Sequence, residues 1–235
     1  MSILANPTFA RAMISPTPPK PFYYVGCDLG QSADYTAICV IEIRDEDKGM
    51  LLVRHLERFR ELLYPEVARR VEKLVNRYPL LVNHDLIVDA TGVGPAVTDI
   101  FKENATPFKG VKIHGGDHET FKDGYHRVPK RDLVQNLQVL FHSGRLKIAA
   151  SLGLAQPLKD ELLNFKMKVN IATAHDSYEA WREGDHDDLV LATALAAWGA
   201  RKGAAGTDSL AVSGPYKPPP EGRPFSTADF GGFRL

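Results

Sequence analysis

The chain predicts an α/β domain built on a mixed sheet, and three features carry that prediction. Three apolar, β-branched segments open the core with short connections, helical and extended patterns then alternate, and an alanine-rich helix closes it. Two of the strands stop at an aspartate and the last helix starts at a pair of them, so the fold also says where to look for chemistry.

The opening strands are Phe22–Asp28, Tyr35–Ile43 and Met50–Phe59, separated by Gly30–Asp34 and by the charged turn Arg44–Gly49. Connections this short predict an antiparallel meander. Phe22–Asp28 is the most continuously apolar strand and is expected at the centre. Alternation turns Asp28 to the face of Tyr24 and Gly26, away from Cys27. Pro65 starts a helix whose Val67, Ala68, Val71, Leu74 and Val75 recur at helical spacing. Leu86–Asp89 is the fourth strand and runs through Gly92 and Gly94 into a helix with Pro95 near its first turn; Phe108–His114 is the fifth.

Pro129 opens a helix with Leu133, Leu137, Leu140 and Phe141 on one face, ended by Gly144. Leu146–Ile148 is a short extended piece, and Ala155–Phe165 is helical. Lys166–Ala172 and Ser177–Trp181 could pair as a hairpin. The last helix runs from about His186 to Ala200, and its alanines at 192, 194, 196 and 197 would let it lie close against a sheet.

Outside this core the composition changes. Residues 1–21 carry five prolines and read as a flexible lead-in; residues 202–235 turn to Gly, Ser and Pro and read as a flexible tail, with Phe225, Phe230 and Phe233 near its end. The domain is therefore expected over 22–201. Met1–Arg11 lacks the features of a secretory signal and no apolar run reaches membrane-spanning length, which predicts a cytoplasmic protein with no membrane partner. Two cysteines, Cys27 and Cys39, are too few for a zinc site or a disulfide framework.

The 235 residues balance 29 basic against 29 acidic side chains. Most of the excess base lies at the ends, so the segment between them is net acidic. Such a domain holds a polyanion only through a local basic patch or through cations captured by its acids. Lys102–Lys147 is the basic segment, and Lys122, Lys130 and Arg131 are its best candidates for contact with such a polyanion. They flank a helix start, where backbone N–H groups also favour phosphate.

Asp28 closes Val25–Gly26–Cys27–Asp28–Leu29–Gly30. Alone it would read as a turn cap. Asp89 leads Ala90–Thr91–Gly92–Val93–Gly94, where one acid would read as a helix cap and the Gly-x-Gly lacks the third glycine of a dinucleotide loop. Asp185, His186, Asp187 and Asp188 precede Leu189–Val190–Leu191, and four ionisable residues in succession exceed what capping needs. His186 could ligate a metal, position a water or form a capping hydrogen bond. Hard carboxylate oxygens from three elements favour Mg²⁺ or Mn²⁺ over zinc. Two such ions, about 3.5–4 Å apart, would clamp the attacking and leaving oxygens of a phosphodiester. Asp28, being central, is the candidate for bridging both.

A family resemblance rests on these same residues. Val25–Gly26–Cys27–Asp28 with Asp34, the stretch Val88–Gly94, and above all Tyr178–Ala192 with its His186–Asp187–Asp188–Leu189–Val190 look like the nuclease domain of tailed-bacteriophage large terminase subunits, terminase-like members of the RNase H-like superfamily. Pro129–Arg131 through Gly144–Leu146, and Leu158–Phe165, are similar to that family too, and the match runs in order from about Phe22 to Ala200. The resemblance implies an RNase H-like five-stranded sheet, three strands antiparallel and then parallel ones, flanked by helices. It implies metal-dependent cleavage of double-stranded DNA during genome packaging, in a phage-infected or prophage-carrying bacterium; no base-reading motif is visible, so cleavage is expected to be weakly sequence-specific. The implied metal ligands are Asp28, Asp89 and Asp188, with Asp187 as a further ligand and Asp34 and His186 supporting. No Gly-x-x-x-x-Gly-Lys-Ser/Thr occurs in these residues, so an ATPase motor, like a small terminase subunit and a portal, is expected as a partner. A Holliday-junction resolvase-like nuclease and a non-catalytic DNA-binding or assembly module are the alternatives.

Overall fold

A computed structural model describes residues 21–30, 34–44, 49–92, 94–172 and 187–204. The strands are β1 (Phe22–Asp28), β2 (Thr36–Ile43), β3 (Leu51–Phe59), β4 (His84–Asp89), β5 (Lys109–His114), β6 (Thr120–Lys122), β7 (Tyr125–Pro129) and β8 (Leu146–Ile148). The helices are α1 (Tyr64–Val75), α2 (Gly94–Glu103), α3 (Lys130–His142), α4 (Ala155–Ala172) and α5 (Asp188–Ala204). All strands join one sheet in the order β6-β7-β5-β4-β1-β2-β3-β8. β1, β2 and β3 form the expected antiparallel meander, and β4 pairs parallel with β1 and β5 parallel with β4.

The five expected strands are the middle of the sheet, and it extends beyond them at both edges. β8 adds to β3 in parallel, and the β6–β7 hairpin pairs β7 parallel to β5. The hairpin turns at Asp123 and Gly124, both at positive φ (55° and 77°), the geometry for which Asp-Gly is selected in two-residue turns. Lys166–Ala172 is a correction: it is helical, the end of α4, and not a strand. Its polar and apolar residues alternate, but extending an existing helix needs no new nucleus, and that local advantage wins. Ser177–Trp181 lies outside the described residues.

Two apolar layers sandwich the sheet. On one face α1 and α2 cover Tyr23, Val25, Cys27, Ile38, Val40, Leu86 and Val88. On the other, α5 with α3 and α4 covers Tyr24, Ala37, Cys39, Ile41, Ile87 and Val111. Helix α5 is apolar on nearly all sides because it is buried on nearly all sides; Leu189, Val190, Ala192, Leu195 and Ala196 are fully enclosed. It crosses β1 at Gly26, where a Cβ would collide with the Ala192 carbonyl oxygen and lie 2.6 Å from the Ala196 nitrogen. The small residues on both sides of that crossing draw the start of α5 toward the ends of β1 and β4. Among the described residues no helix is long and apolar enough to cross a membrane.

Candidate metal centre at the ends of β1, β4 and α5

Asp28 and Asp89 end neighbouring parallel strands. The last paired rung is Cys27 with Val88, so the two aspartates follow it side by side. Both face α5, because Gly26 and Ile87, two residues earlier in each strand, lie under that helix. Asp187 caps α5, its carbonyl accepting the Leu191 N–H at 2.9 Å, and Asp188 is the first helical residue.

The electrostatics show that these acids converge. Asp28 is only 8% exposed. Burial foremost, then Asp89, Asp188 and Asp187, push its carboxyl well above the usual carboxylate range, and only Lys130 opposes them. Lys130 is the first residue of α3, and its Nζ lies 3.2 Å from Asp187 Oδ2. Asp89 accepts the Thr91 N–H at 2.7 Å, and Thr91 Oγ1 in turn accepts the Ile113 N–H at 2.8 Å, so the loop after β4 is pinned to β5. The Cys27 thiol, sealed behind the site, is pushed up by burial and then by Asp28 and Asp89, which makes it inert.

The other expected residues are distributed more widely. Asp34 is exposed and is not among the principal charges acting on Asp28. His186 lies outside the described residues. Arg131 turns away from the acids to Asp117, with Nη1 2.7 Å from its carboxylate. Lys122 sits on the edge strand β6, three strands from Asp89, which is about 14 Å at the usual strand spacing. Lys130 is the one of the three basic candidates that enters the acidic cluster.

Two residues that the sequence reading left without a role belong to the site. Glu161, from α4, accepts the N–H groups of Leu189 and Val190 at 3.1 and 3.3 Å and meets Arg58 Nη1 at 2.9 Å. Burial, with a contribution from Asp188, pushes its carboxyl up to about 7 against the hydrogen bonds from Val190 and Leu189 and the charge of Arg58. A signal for it exists in the sequence: Glu161 is three residues after Leu158 and one before Leu162, an acid on the packed face of a helix. Arg58 gives none, since its partner lies 103 residues away.

Among the described residues no group of three or more His, Cys, Asp or Glu is arranged to hold a metal ion as it stands. The acids are gathered but not drawn together, as expected where like charges repel and a lysine supplies the balancing charge. A cation would relieve the cost of ionising Asp28, and the donors available to it are hard carboxylate oxygens, which suit Mg²⁺ or Mn²⁺.

The model of the terminase RNaseH-like domain matches residues 25–198, nearly the whole described core. The chain belongs to that terminase family. Two curated relatives are the large terminase subunits of Thermus virus P23-45 and Thermus phage G20c, each 24% identical over 187 residues. Those alignments take in 79% of this chain and 33% of each relative, so the chain spans about a third of the length of the terminase subunits it matches. The nuclease of the phage G20c large terminase, solved with bound magnesium, superposes with a TM-score of 0.54 at 22% identity, covering 77% of this chain and 82% of that one. A further structure of the same G20c nuclease gives 0.51 at 20% identity. The mixed sheet flanked by helices is thus the RNase H-like fold of the terminase nucleases.

Proposed function

We propose that this terminase domain is a divalent-metal-dependent endonuclease that hydrolyses phosphodiester bonds in double-stranded DNA with weak sequence specificity. The observation that carries the reading is the Asp28 carboxyl, raised first by its burial and then by Asp89, Asp188 and Asp187 at the ends of three elements. A carboxylate cluster of this kind is costly without a positive guest. Its membership of the terminase RNaseH-like family supports the same conclusion.

In this reading Asp28, Asp89 and Asp188 would hold a pair of metal ions, with Asp187 as a further ligand. When bound, Mg²⁺ or Mn²⁺ supplies an activated water and neutralises charge developing on the phosphate. The protein supplies the rest. Thr91 fixes the loop that carries Asp89, and the small-residue crossing at Gly26 fixes the height of Asp188 over the sheet. Lys130 balances Asp187 in the absence of substrate and is available to a backbone phosphate that enters the site. Lys122 and Arg131 offer phosphate contacts outside the cluster, and His186 and Asp34 are proposed as supporting groups. No base-reading motif accompanies these cations, which is why sequence specificity is expected to be weak. We place the protein in the cytoplasm of a phage-infected or prophage-carrying bacterium. There an ATPase motor, a small terminase subunit and a portal would accompany it during packaging.

The test is cleavage of supercoiled plasmid by the full chain with Mn²⁺, Mg²⁺ or chelator, beside a four-way junction of matched length. Relaxation and linearisation that need the metal, disappear in Asp28→Asn and show no preference for the junction are expected. Preference for the junction would indicate a resolvase-like enzyme. Failure to cut with either metal would indicate a DNA-binding or assembly module.

A further inference from the structure

Leu158–Phe165 packs an acid, Glu161, on the buried face of α4, and the proposed chemistry gives that acid no task. The structure supplies one through the way α5 begins. A helix leaves its first N–H groups without partners inside the helix, and an aspartate at the cap position ordinarily accepts those of the second and third helical residues. Asp187 holds that cap position. The second and third residues are Leu189 and Val190, and their N–H groups go to Glu161 Oε2. Asp187 directs Oδ2 to Lys130 instead.

Glu161 is itself anchored. Its Oε1 takes the guanidinium of Arg58, which lies over the Tyr35 ring at 4.9 Å from its centroid. Arg58 stands opposite Ala37 across β2–β3, and Ala37 stands opposite Asp28 across β1–β2, so all three share one rung and one face of the sheet. The side chain of Glu161 is about one-tenth exposed and that of Arg58 about one-fifth. The bond is sheltered and its geometry is fixed from both ends.

We infer that Glu161, held by Arg58, is a positioning residue of the acidic site: it caps α5 in place of Asp187, so that the Asp187 carboxylate stays on Lys130 and, with Asp188, close enough to Asp28 for a cation to recruit it. The arrangement ties the metal-binding end of α5 to the same rung of the sheet that carries Asp28. It explains why an acid sits on the packed face of α4, and why a helix that opens with two aspartates does not spend one of them on itself. The inference rests on the metal-dependent reading above and adds to it the group that orders the ligands.

The test is Mn²⁺ affinity of the full chain by isothermal titration, measured well below the melting temperature with circular dichroism confirming the fold, for wild type, D28N, E161A, E161Q and R58M. With the cap lost in E161A, Asp187 reclaims the α5 amides, and affinity should fall by about tenfold or more, the usual cost of removing a group that orients metal ligands. E161Q keeps a side-chain oxygen for Leu189 and Val190 but turns its amide nitrogen, a donor, to Arg58; it keeps the cap and loses the anchor, and should fall with R58M between E161A and wild type. R58M frees Glu161 from the sheet and should fall between E161A and wild type. Wild type failing to bind Mn²⁺ would remove the metal reading itself. Wild type binding and D28N not binding would uphold that reading, and E161A with wild-type affinity would then overturn the inference alone. E161Q as weak as E161A would show that the charge, not the cap, is what matters, and would also overturn it. Should E161A not fold, R58M decides: unchanged affinity refutes the inference.

Discussion

Gly26→Ala tests the packing that places Asp188, because it adds a single methyl at the α5 crossing. The new Cβ would collide with the Ala192 carbonyl oxygen and lie 2.6 Å from the Ala196 nitrogen, where ordinary contact begins near 3.4 Å. Both neighbours are helix backbone and cannot rotate away, so α5 must retreat by about 1 Å. A gap of that size forfeits about a quarter to a half of each dispersion contact along the interface. The residues that lose contact, Leu189, Ala192, Leu195 and Ala196, are completely buried. Overpacking of well-packed cores costs about 1–3 kcal/mol, and with an immobile backbone on the receiving side we expect about 3 kcal/mol. For a domain of this size that is about 6–12 °C in melting temperature. Differential scanning calorimetry with and without Mn²⁺ is the assay. The variant should melt lower and lose most of the stabilisation by Mn²⁺, since Asp188 rides on the displaced helix. A melting temperature within about 2 °C of wild type, with Mn²⁺ stabilisation intact, would refute the reasoning.

Three further outcomes follow from the charges. Ionising Asp28 costs folding free energy because its carboxyl is raised in the fold, so metal-free wild type loses stability as the pH rises out of the ordinary carboxylate range. D28N should therefore melt above wild type in chelator at neutral pH, with the gain shrinking toward pH 4, and should gain nothing from Mn²⁺; a variant less stable than wild type at neutral pH contradicts the crowding. Lys109 and Asp85 form an ion pair at 3.0 Å with both side chains almost wholly buried, and Lys109→Met strands the carboxylate. Urea denaturation should show a loss of about 3–5 kcal/mol, and a loss under about 1 kcal/mol would mean that Asp85 finds another partner. Lys130→Ala with Arg131→Ala should weaken duplex binding measured in Ca²⁺ and lower its salt slope by about 0.9 for each phosphate contact removed. An unchanged slope would put the DNA track elsewhere.

Much of this architecture is legible in the residues because it is set by local pattern. The apolar run from Phe22 ends at Asp28 and that from Leu86 at Asp89, and a buried strand that stops on an acid points to its own end. The alanines of α5 announce a close crossing, and Gly26 receives it. The edges are harder to read. β6 is three exposed residues and β8 is also only three residues long, too short for periodicity to register, and only Asp123–Gly124 marks the hairpin. Lys166–Ala172 shows the opposite failure, since its strand-like alternation is overridden by the helix before it. At the site, sequence spacing separates acid from solvent-facing charge poorly: Lys130 and Arg131 are adjacent, yet one meets Asp187 and the other Asp117. The link from Arg58 through Glu161 to Leu189 joins three distant segments, and only the folded chain brings them together.

The central claim is that Asp28, Asp89 and Asp188 hold a divalent cation, and anomalous diffraction from crystals grown with Mn²⁺ tests it most directly. A manganese peak bonded to the Asp28 carboxylate and to Asp89 or Asp188, absent from crystals of D28N, is the expected result. Manganese bound only elsewhere, in crystals of a protein that cuts DNA in Mn²⁺ solution, would contradict the assignment of the site.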